Sequence, residues 1–280
     1  MGRERSHRIS DAPAVSAYML TFNNRRTVRR ALAGLAWADE IVVVDSGSTD
    51  GTRQIAAEFT DRIVRREWPG FREQYQYAAD QCVNDWVVFA DADEVIPAGL
   101  AAEIQQEVHR NSGVPQSEQY AGYEANRRTW YLGRWIRHGG WVPDREIRVY
   151  NRKRASWQGG LHAKVHVRGP VGRLKGIYEH YTYADVAEHL QTIDRYSRTA
   201  AAEMLKAGRR TSVAGLFCRP LARFVRDYIL KAGFLDGFPG LVVAVNTAFY
   251  VFVKHVKLRE MRLADETGST TPVTEEYSKP

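Results

Sequence analysis

Three carboxylates carry the strongest chemical signal in this chain. Asp45 closes the apolar run Glu40–Val44, and Asp91 and Asp93 follow the apolar run Trp86–Ala90. An Asp-x-Asp pair presents two hard oxygen donors close together, which suits Mg2+ or Mn2+ bridging a diphosphate. The plainer alternative is one helix cap and two solvated acids. A third acid ending a second strand of the same sheet edge favours the ligand site.

A second chemical feature lies downstream. Between Asn126 and Arg154 there are nine Lys and Arg but only two acids, Asp144 and Glu146. Trp130, Trp135, Trp141 and Trp157 lie in or beside this segment. Indole faces stack on sugar rings, and guanidinium forks hold phosphate. A phosphorylated saccharide satisfies both preferences. Nucleic acid would also fit aromatics interleaved with bases, and a solvated basic face over aromatic core residues is the plainer reading.

These residues need a scaffold, and the first hundred residues supply a regular one. Val15–Thr21, Glu40–Val44, Arg62–Trp68 and Trp86–Ala90 read as strands. Between them lie helical patterns: one with Val28, Ala31, Leu32 and Leu35 on one face, one with Ile55 and Phe59, and one over Phe71–Cys82. Asn23 or Asn24 is expected to cap the first helix and Asp50 the second. A fourth helix follows Pro97. Such alternation implies a parallel sheet covered by helices, with ligands at the carboxyl ends of the strands. Asn111–Gln119 reads as a loop. Strand-like pieces follow at Tyr120–Ala125, Glu146–Asn151, His162–Arg168 and Leu174–Tyr183.

From Asp185 the chain turns helical. Asp185 and Glu188 form a capping box, and Gly208 stops that helix. Two further helices are expected over Val213–Ala232 and Phe238–Leu258. The expected organisation is a disordered stretch 1–14, a catalytic domain 15–184, an amphipathic helical region 185–263 and a disordered tail 264–280. Leu241–Val253 is apolar but shorter than the roughly 20 residues a spanning helix needs. With Lys254, Lys257, Arg259 and Arg262 beyond it, and Arg219, Arg223 and Arg226 before it, it fits either an anionic membrane surface or packing on a second subunit.

Composition narrows the classes. A chain of 280 residues with 44% hydrophobic and 26% charged residues can bury a core and is neither disordered nor collagen-like. The net charge of +7 points to an anionic partner. Two cysteines, Cys82 and Cys218, make neither a disulfide framework nor a metal site, so a reducing compartment is expected. Met1–Ala14 lacks an apolar core, so no secretory signal is expected.

Three segments, Ser16–Asn24 (SAYMLTFNN), Val43–Thr52 (VVDSGSTDGT) and Phe89–Glu94 (FADADE), together resemble the nucleotide-sugar motifs of family 2 inverting glycosyltransferases. Gly140–Tyr150, Gly160–His162, Glu179–Tyr183 and Lys231–Gly237 resemble the branch that adds glucose to the bacterial lipopolysaccharide inner core through a β-1,4 linkage. The resemblance implies an α/β GT-A fold: a Rossmann-like, mostly parallel sheet flanked by helices, here with a C-terminal helical appendage. It implies a UDP-sugar donor and a divalent metal, Mg2+ or Mn2+. It implies a phosphorylated, lipid-linked saccharide acceptor at the cytoplasmic face of the inner membrane, peripheral attachment, no nucleic acid, and room for oligomers.

Site residues follow from the same resemblance. Thr21 and Asn23 would line the nucleotide. Asp45 would accept a hydrogen bond from uracil or ribose, a role compatible with capping the next turn. Asp91 would meet ribose or a metal-bound water, and Asp93 with His162 would hold the metal. Ala163 stands where the family often has an acid. Asp144 would be the general base, with Glu146 second and a salt bridge to Arg145 or Arg148 as the plainer role. Trp141, Arg145 and Arg148 would bind the acceptor. Two other readings stand beside this one. The first is a haloacid dehalogenase-type phosphatase using the Asp91/Asp93 loop. The second is an inactive basic module binding membrane or nucleic acid.

Overall fold

The computed structural model describes residues 13–160 and 163–267. The chain divides into two compact units. One holds the described residues through Arg128 together with Asp144–Tyr181; the other holds Thr129–Pro143 and the described residues from Thr182 onward.

The first unit is a layered α/β body. Strands β1 (Val15–Thr21), β2 (Glu40–Asp45), β3 (Ile63–Arg65) and β4 (Trp86–Phe89) run parallel, with β1 between β2 and β4. They are apolar on both faces because both faces are covered. Ala17, Met19, Val43 and Val88 pack in one cluster with Val28 and Leu32 of helix α1 (Val28–Ala33). The same cluster takes in Leu100, Ile104 and Val108 of helix α4 (Ala98–Ser112). Tyr18, Val42, Val44 and Val87 face the other way, towards Ala78 and Ala79 of helix α3 (Phe71–Gln81). Helix α2 (Thr52–Ala56) completes the second crossover.

The remainder of the sheet is antiparallel. The order is β3-β2-β1-β4-β8-β6-β11-β5, with β5 (Glu94–Val95), β6 (Gly122–Tyr131), β8 (Arg145–Asn151) and β11 (Val171–His180). Strand β8 pairs antiparallel to both β4 and β6, and β11 antiparallel to β5. The sheet is therefore mixed, parallel across β3 to β4 and antiparallel where β8 meets β4 and β6 and where β11 meets β5. Strands β9 (Ala155–Gln158) and β10 (Lys164–Val167) form a separate antiparallel ribbon. No strand is legible at β9, where Trp157 is the one buried side chain. Its indole Nε1 donates to the hydroxyls of Tyr18 and Tyr150, both at 3.1 Å, and stacks on Tyr75.

The second unit contains the short strand β7 (Arg134–Trp135), which pairs with the end of β6, and three helices. Helix α5 (Val186–Lys206) begins at the expected cap: Asp185 accepts from the Glu188 amide at 2.8 Å. Glu188 reaches back to the amide of Ala184 at 2.6 Å, one residue before the cap. The helix ends at Gly208, whose φ of 65° is the left-handed turn that glycine tolerates best. Helix α6 (Val213–Phe224) passes directly into a π turn (Val225–Leu230), then a 3-10 turn (Gly233–Asp236) and helix α7 (Gly237–Thr267). The helix expected over Val213–Ala232 is thus two different windings. The last helix extends through Thr267, past the point where the tail is expected to begin.

Helix α7 packs along α5. Ala201, Leu258 and Met261 form an apolar cluster. Beside it, Lys257 Nζ donates to Asp194 at 2.6 Å and Ser197 at 2.9 Å. Buried His189 Nδ1 lies 2.9 Å from both the Tyr131 hydroxyl and the Asn246 amide nitrogen. Burial drives its pKa down to about 4. The folded state thus favours neutral imidazole, whereas the unfolded chain takes up a proton below about pH 6.5. Stability from this group is complete above that pH and declines as pH falls towards 4. Between pH 7 and pH 5 the wild-type protein should lose about 2 kcal/mol more than His189→Gln. Urea midpoints at the two pH values measure that difference, and equal losses would contradict it.

Candidate active site

The site is built on the acid loop that leaves β4. After Phe89 the chain runs through Asp91 and Asp93 and enters β5 at Glu94 on the far edge of the sheet. In doing so it passes over β8, β6 and β11. Each of these strands presents one basic side chain to it: Arg148 from β8, Arg127 from β6 and His180 from β11.

Glu94 is the anchor of this arrangement. It is 0% exposed. One oxygen accepts from Arg148 Nη2 at 2.7 Å and from Arg127 Nη1 at 2.9 Å. The other accepts from the Asp91 amide at 3.1 Å. Burial alone would raise its pKa, but Arg148, Arg127 and His180 outweigh that and hold it at about 2. Arg148 is 2% exposed, lies over the Phe89 ring at 4.4 Å, and pairs also with Glu146 at 2.9 Å. Arg148 is one of the residues expected to bind the acceptor. Its guanidinium is a buried counter-charge with no open face for a phosphate.

The two motif aspartates differ. Asp91 accepts from the Tyr75 hydroxyl and sits 3.6 Å from Arg148 Nη1, which has no hydrogen-bond partner. Loss of hydration, then the nearby Glu94 charge, push Asp91 up to about 6 against the pull of Arg148. Asp93 lies 3.3 Å from His180 Nε2. His180 stands opposite Glu94 in the β11–β5 register, which is what delivers it there. The expected partner of Asp93, His162, lies outside the described residues. Among the described residues no three His, Cys, Asp or Glu side chains form a metal cluster. Asp93 on the loop and His180 at the end of β11 do supply an oxygen and a nitrogen donor. That set fits an ion that draws its remaining ligands from a bound diphosphate and water.

Asp144 begins the return into β8. Its Oδ2 accepts from Arg127 Nη2 at 2.7 Å and Nε at 2.8 Å, and its side chain remains 30% exposed. The ion-pair partner is therefore Arg127, not Arg145 or Arg148. Exposed Arg145 instead donates to Asn126 at 2.9 Å. Trp141, in the second unit, is partly buried beside Tyr131 and His189. That leaves a reduced indole face for stacking.

The nucleotide-side loops are tied to each other. Asp45 is fully buried; it accepts from Thr21 Oγ1 at 2.8 Å, Ser48 Oγ at 2.5 Å, and the amides of Gly47 and Ser48 at 3.0 and 2.9 Å. Thr21 is buried as well. Thr21 and Asp45, the residues expected beside the nucleotide, are thus buried and bonded to each other at the base of the joined loops. Asn23 does not cap α1, which carries no side-chain cap. With φ of 54° it turns the chain, and its Oδ1 accepts from the Thr49 amide at 2.9 Å. It remains exposed at the surface of the joined loops. Sequence reasoning gave no role to Glu94, Arg127, His180 or Tyr75. Glu94 and His180 lay within motifs already singled out, while Arg127 and Tyr75 carried no local signal.

Comparison with known proteins identifies the family. The model of glycosyl transferase family 2 matches residues 16–173, and the chain belongs to that family. The phosphatase reading of the Asp91/Asp93 loop falls with this assignment. An uncharacterized glycosyltransferase of Rickettsia typhi is 28% identical over 260 residues, covering 89% of this chain and 88% of the relative. The lipopolysaccharide core biosynthesis glycosyltransferase LpsC of Rhizobium meliloti is 27% identical over 259 residues, covering 87% and 91%. Among solved structures, glucosyl-3-phosphoglycerate synthase of Mycobacterium tuberculosis superposes with a TM-score of 0.46 at 18% identity, over 71% of this chain and 80% of that one.

The buried ion cluster makes a stability prediction. Arg148→Met leaves Glu94 short of one of its two guanidiniums and Asp91 and Glu146 facing it without a counter-charge. It should cost about 3–5 kcal/mol. Adding Glu94→Gln should restore part of that loss. Denaturant unfolding of the two variants checks this, and additive losses would show that the groups are not coupled.

Proposed function

We propose that this family 2 glycosyltransferase moves a hexose, glucose in the first instance, from a UDP-sugar to a lipopolysaccharide inner-core saccharide, with inversion. The observation that carries the reading is Arg127. One guanidinium holds Glu94 of the acid loop at 2.9 Å and Asp144 at 2.7 Å. The acid loop, through Glu94, and Asp144 are thereby held by a common group.

The reaction is a single displacement. The acceptor hydroxyl attacks the anomeric carbon, the bond from that carbon to the diphosphate oxygen breaks, and the hydroxyl proton must go to a base. Asp144 is the base in this reading. Arg127 grips Oδ2, and among the described residues Oδ1 has no hydrogen-bond partner and is left to take the proton. Glu146, paired with buried Arg148, is the weaker candidate. Asp93 and His180 would hold a divalent ion, which when bound offsets charge on the departing diphosphate. Asp91, with Tyr75 and Arg148 behind it, would orient the ribose side. The role in lipopolysaccharide core biosynthesis of the Rhizobium relative supports the acceptor class. The phosphorylated, lipid-linked form of that acceptor belongs to the same proposal.

With Mg2+ or Mn2+, UDP-glucose and a truncated lipopolysaccharide acceptor, UDP release should depend on acceptor. Release without acceptor dependence, or from no nucleotide sugar, would overturn the proposal. Asp144→Asn should lower kcat by about 100- to 10,000-fold while leaving donor affinity within about twofold. Full turnover in this variant would remove Asp144 as the base. Asp93→Asn should instead raise the metal concentration needed for half-maximal rate, read by titrating Mn2+ into chelator-treated enzyme.

A further inference from the structure

Helix α6 buries none of its residues. Its apolar side chains nevertheless fall on one stripe. Val213, Phe217, Leu221 and Val225 recur every four residues, and Phe217 and Leu221 are 67% and 66% exposed. In a straight α-helix a four-residue step overshoots one turn by about 40°, so such a stripe drifts around the axis. The π turn over Val225–Leu230 holds more residues per turn and counters that drift. Ile229 and Leu230 continue the exposed series, Leu230 at 75%. Phe234, Leu235 and Phe238 extend it through the 3-10 turn to the start of α7, Phe238 at 70%. A contiguous exposed series of this kind marks an interaction surface.

The charge around it is of one sign. From Arg209 to Phe238 the sequence has six Lys and Arg and two acids, Asp227 and Asp236. Both acids are buried. Asp227 is taken by Arg223 and Arg226, and Asp236 by the amides of Arg137 and His138. The exposed formal charges of the segment are therefore all positive.

We propose that α6 and the turns after it lie in the headgroup layer of an anionic lipid bilayer, apolar stripe inward and basic side chains at phosphate level. Charge decides among the candidate occupants. A second copy would bring the same positive rim against this one. Residues 1–12 and 268–280 bring only Met1, Ile9, Val273 and Tyr277 as larger apolar side chains, too few to cover the stripe. An anionic leaflet supplies both the apolar layer and the opposite charge. The same region contains a helix, Gly233–Glu266, apolar and long enough by composition to cross a membrane. Its packing on α5 through Leu258, Met261 and the Lys257–Asp194 bond makes it the support of the unit, which favours lying on the bilayer over spanning it. This surface does not depend on the proposed transfer reaction.

Cys218 offers a direct probe. It is exposed next to Phe217, while Cys82 is buried with its thiol pushed up to about 12, so an environment-sensitive fluorophore labels Cys218 selectively. The labelled full-length chain should blue-shift and float with phosphatidylglycerol-containing vesicles, but not with pure phosphatidylcholine. High salt should release it. Unlabelled Phe217→Ser/Leu221→Ser/Leu230→Ser should float at least about tenfold more weakly, with unchanged thermal unfolding and unchanged transfer to a soluble acceptor. Lys231→Gln should weaken binding and flatten its salt dependence. Three results would overturn the proposal: no flotation with anionic vesicles, flotation indifferent to the triple variant, or retention through carbonate extraction. Self-association abolished by the triple variant, without vesicle binding, would instead assign the surface to a second copy.

Discussion

A carboxylate with no exposed surface, held between two guanidiniums, sets the geometry of the site. Leaving Glu94 ionised in the interior is tolerable only because Arg148 and Arg127 stand within hydrogen-bonding distance. Those two side chains come from adjacent antiparallel strands. The acid loop must therefore cross the sheet at the level where both can reach it. The acids of the candidate site are placed by that crossing: Asp91 beside Arg148, Asp93 against His180, and Asp144 paired with Arg127.

The acids of the chain consequently fall into two kinds. Glu94 and Asp45 are fully buried and spend their oxygens on protein donors, one under the acid loop and one under the joined loops after β1 and β2. Asp91, Asp93, Asp144 and Glu146 keep part of their surface open. Buried acids hold loops in register; the open ones have oxygens to offer. This division also reinterprets the basic segment. Arg127 and Arg148 neutralise internal carboxylates, Lys153 pairs with Asp85, and Arg152 donates to the Asn84 carbonyl. Three of the nine basic residues there balance acids of the same body, and the cationic surface left for an anionic partner is smaller than the residue count implies.

The parallel half of the sheet was legible because its strands are apolar on both faces and alternate with amphipathic helices. The acid loop was legible because two aspartates directly follow such a strand. In the other half β6, β8 and β11 were legible as strand-like pieces, but their order was not, and strands β5 and β9 were missed. Strand β5 has two residues, and β9 has one buried side chain, so neither leaves a periodic trace. Arg148 looked like a surface arginine because its partner Glu94 lies 54 positions away, and spacing along the chain cannot show such a pairing. The same holds for Arg127 and Asp144, which are separated by 17 positions. His180 belonged to a motif already picked out, but its neighbour Asp93 is set by the β11–β5 register, a tertiary fact. Along α6 and the π turn, the basic residues Arg219, Arg223 and Arg226 were visible in the sequence. The change in winding that keeps the stripe aligned was not.

The pair at the neck of the Thr129–Pro143 excursion has a consequence for how the Asp144 carboxylate is held. Arg127 and Asp144 clasp twice, through the side-chain ion pair and through the Arg127 amide on the Asp144 carbonyl at 2.7 Å. The excursion between them is thus a loop whose ends are closed by the sheet itself. Lengthening such a loop costs little, because closure entropy grows only slowly with length once the ends are held. What constrains this segment is its own packing: Tyr131 and Ile136 are buried, and the amides of Arg137 and His138 donate to Asp236. The Arg127 clasp therefore fixes the Asp144 carboxylate to the sheet independently of the length of the segment between them.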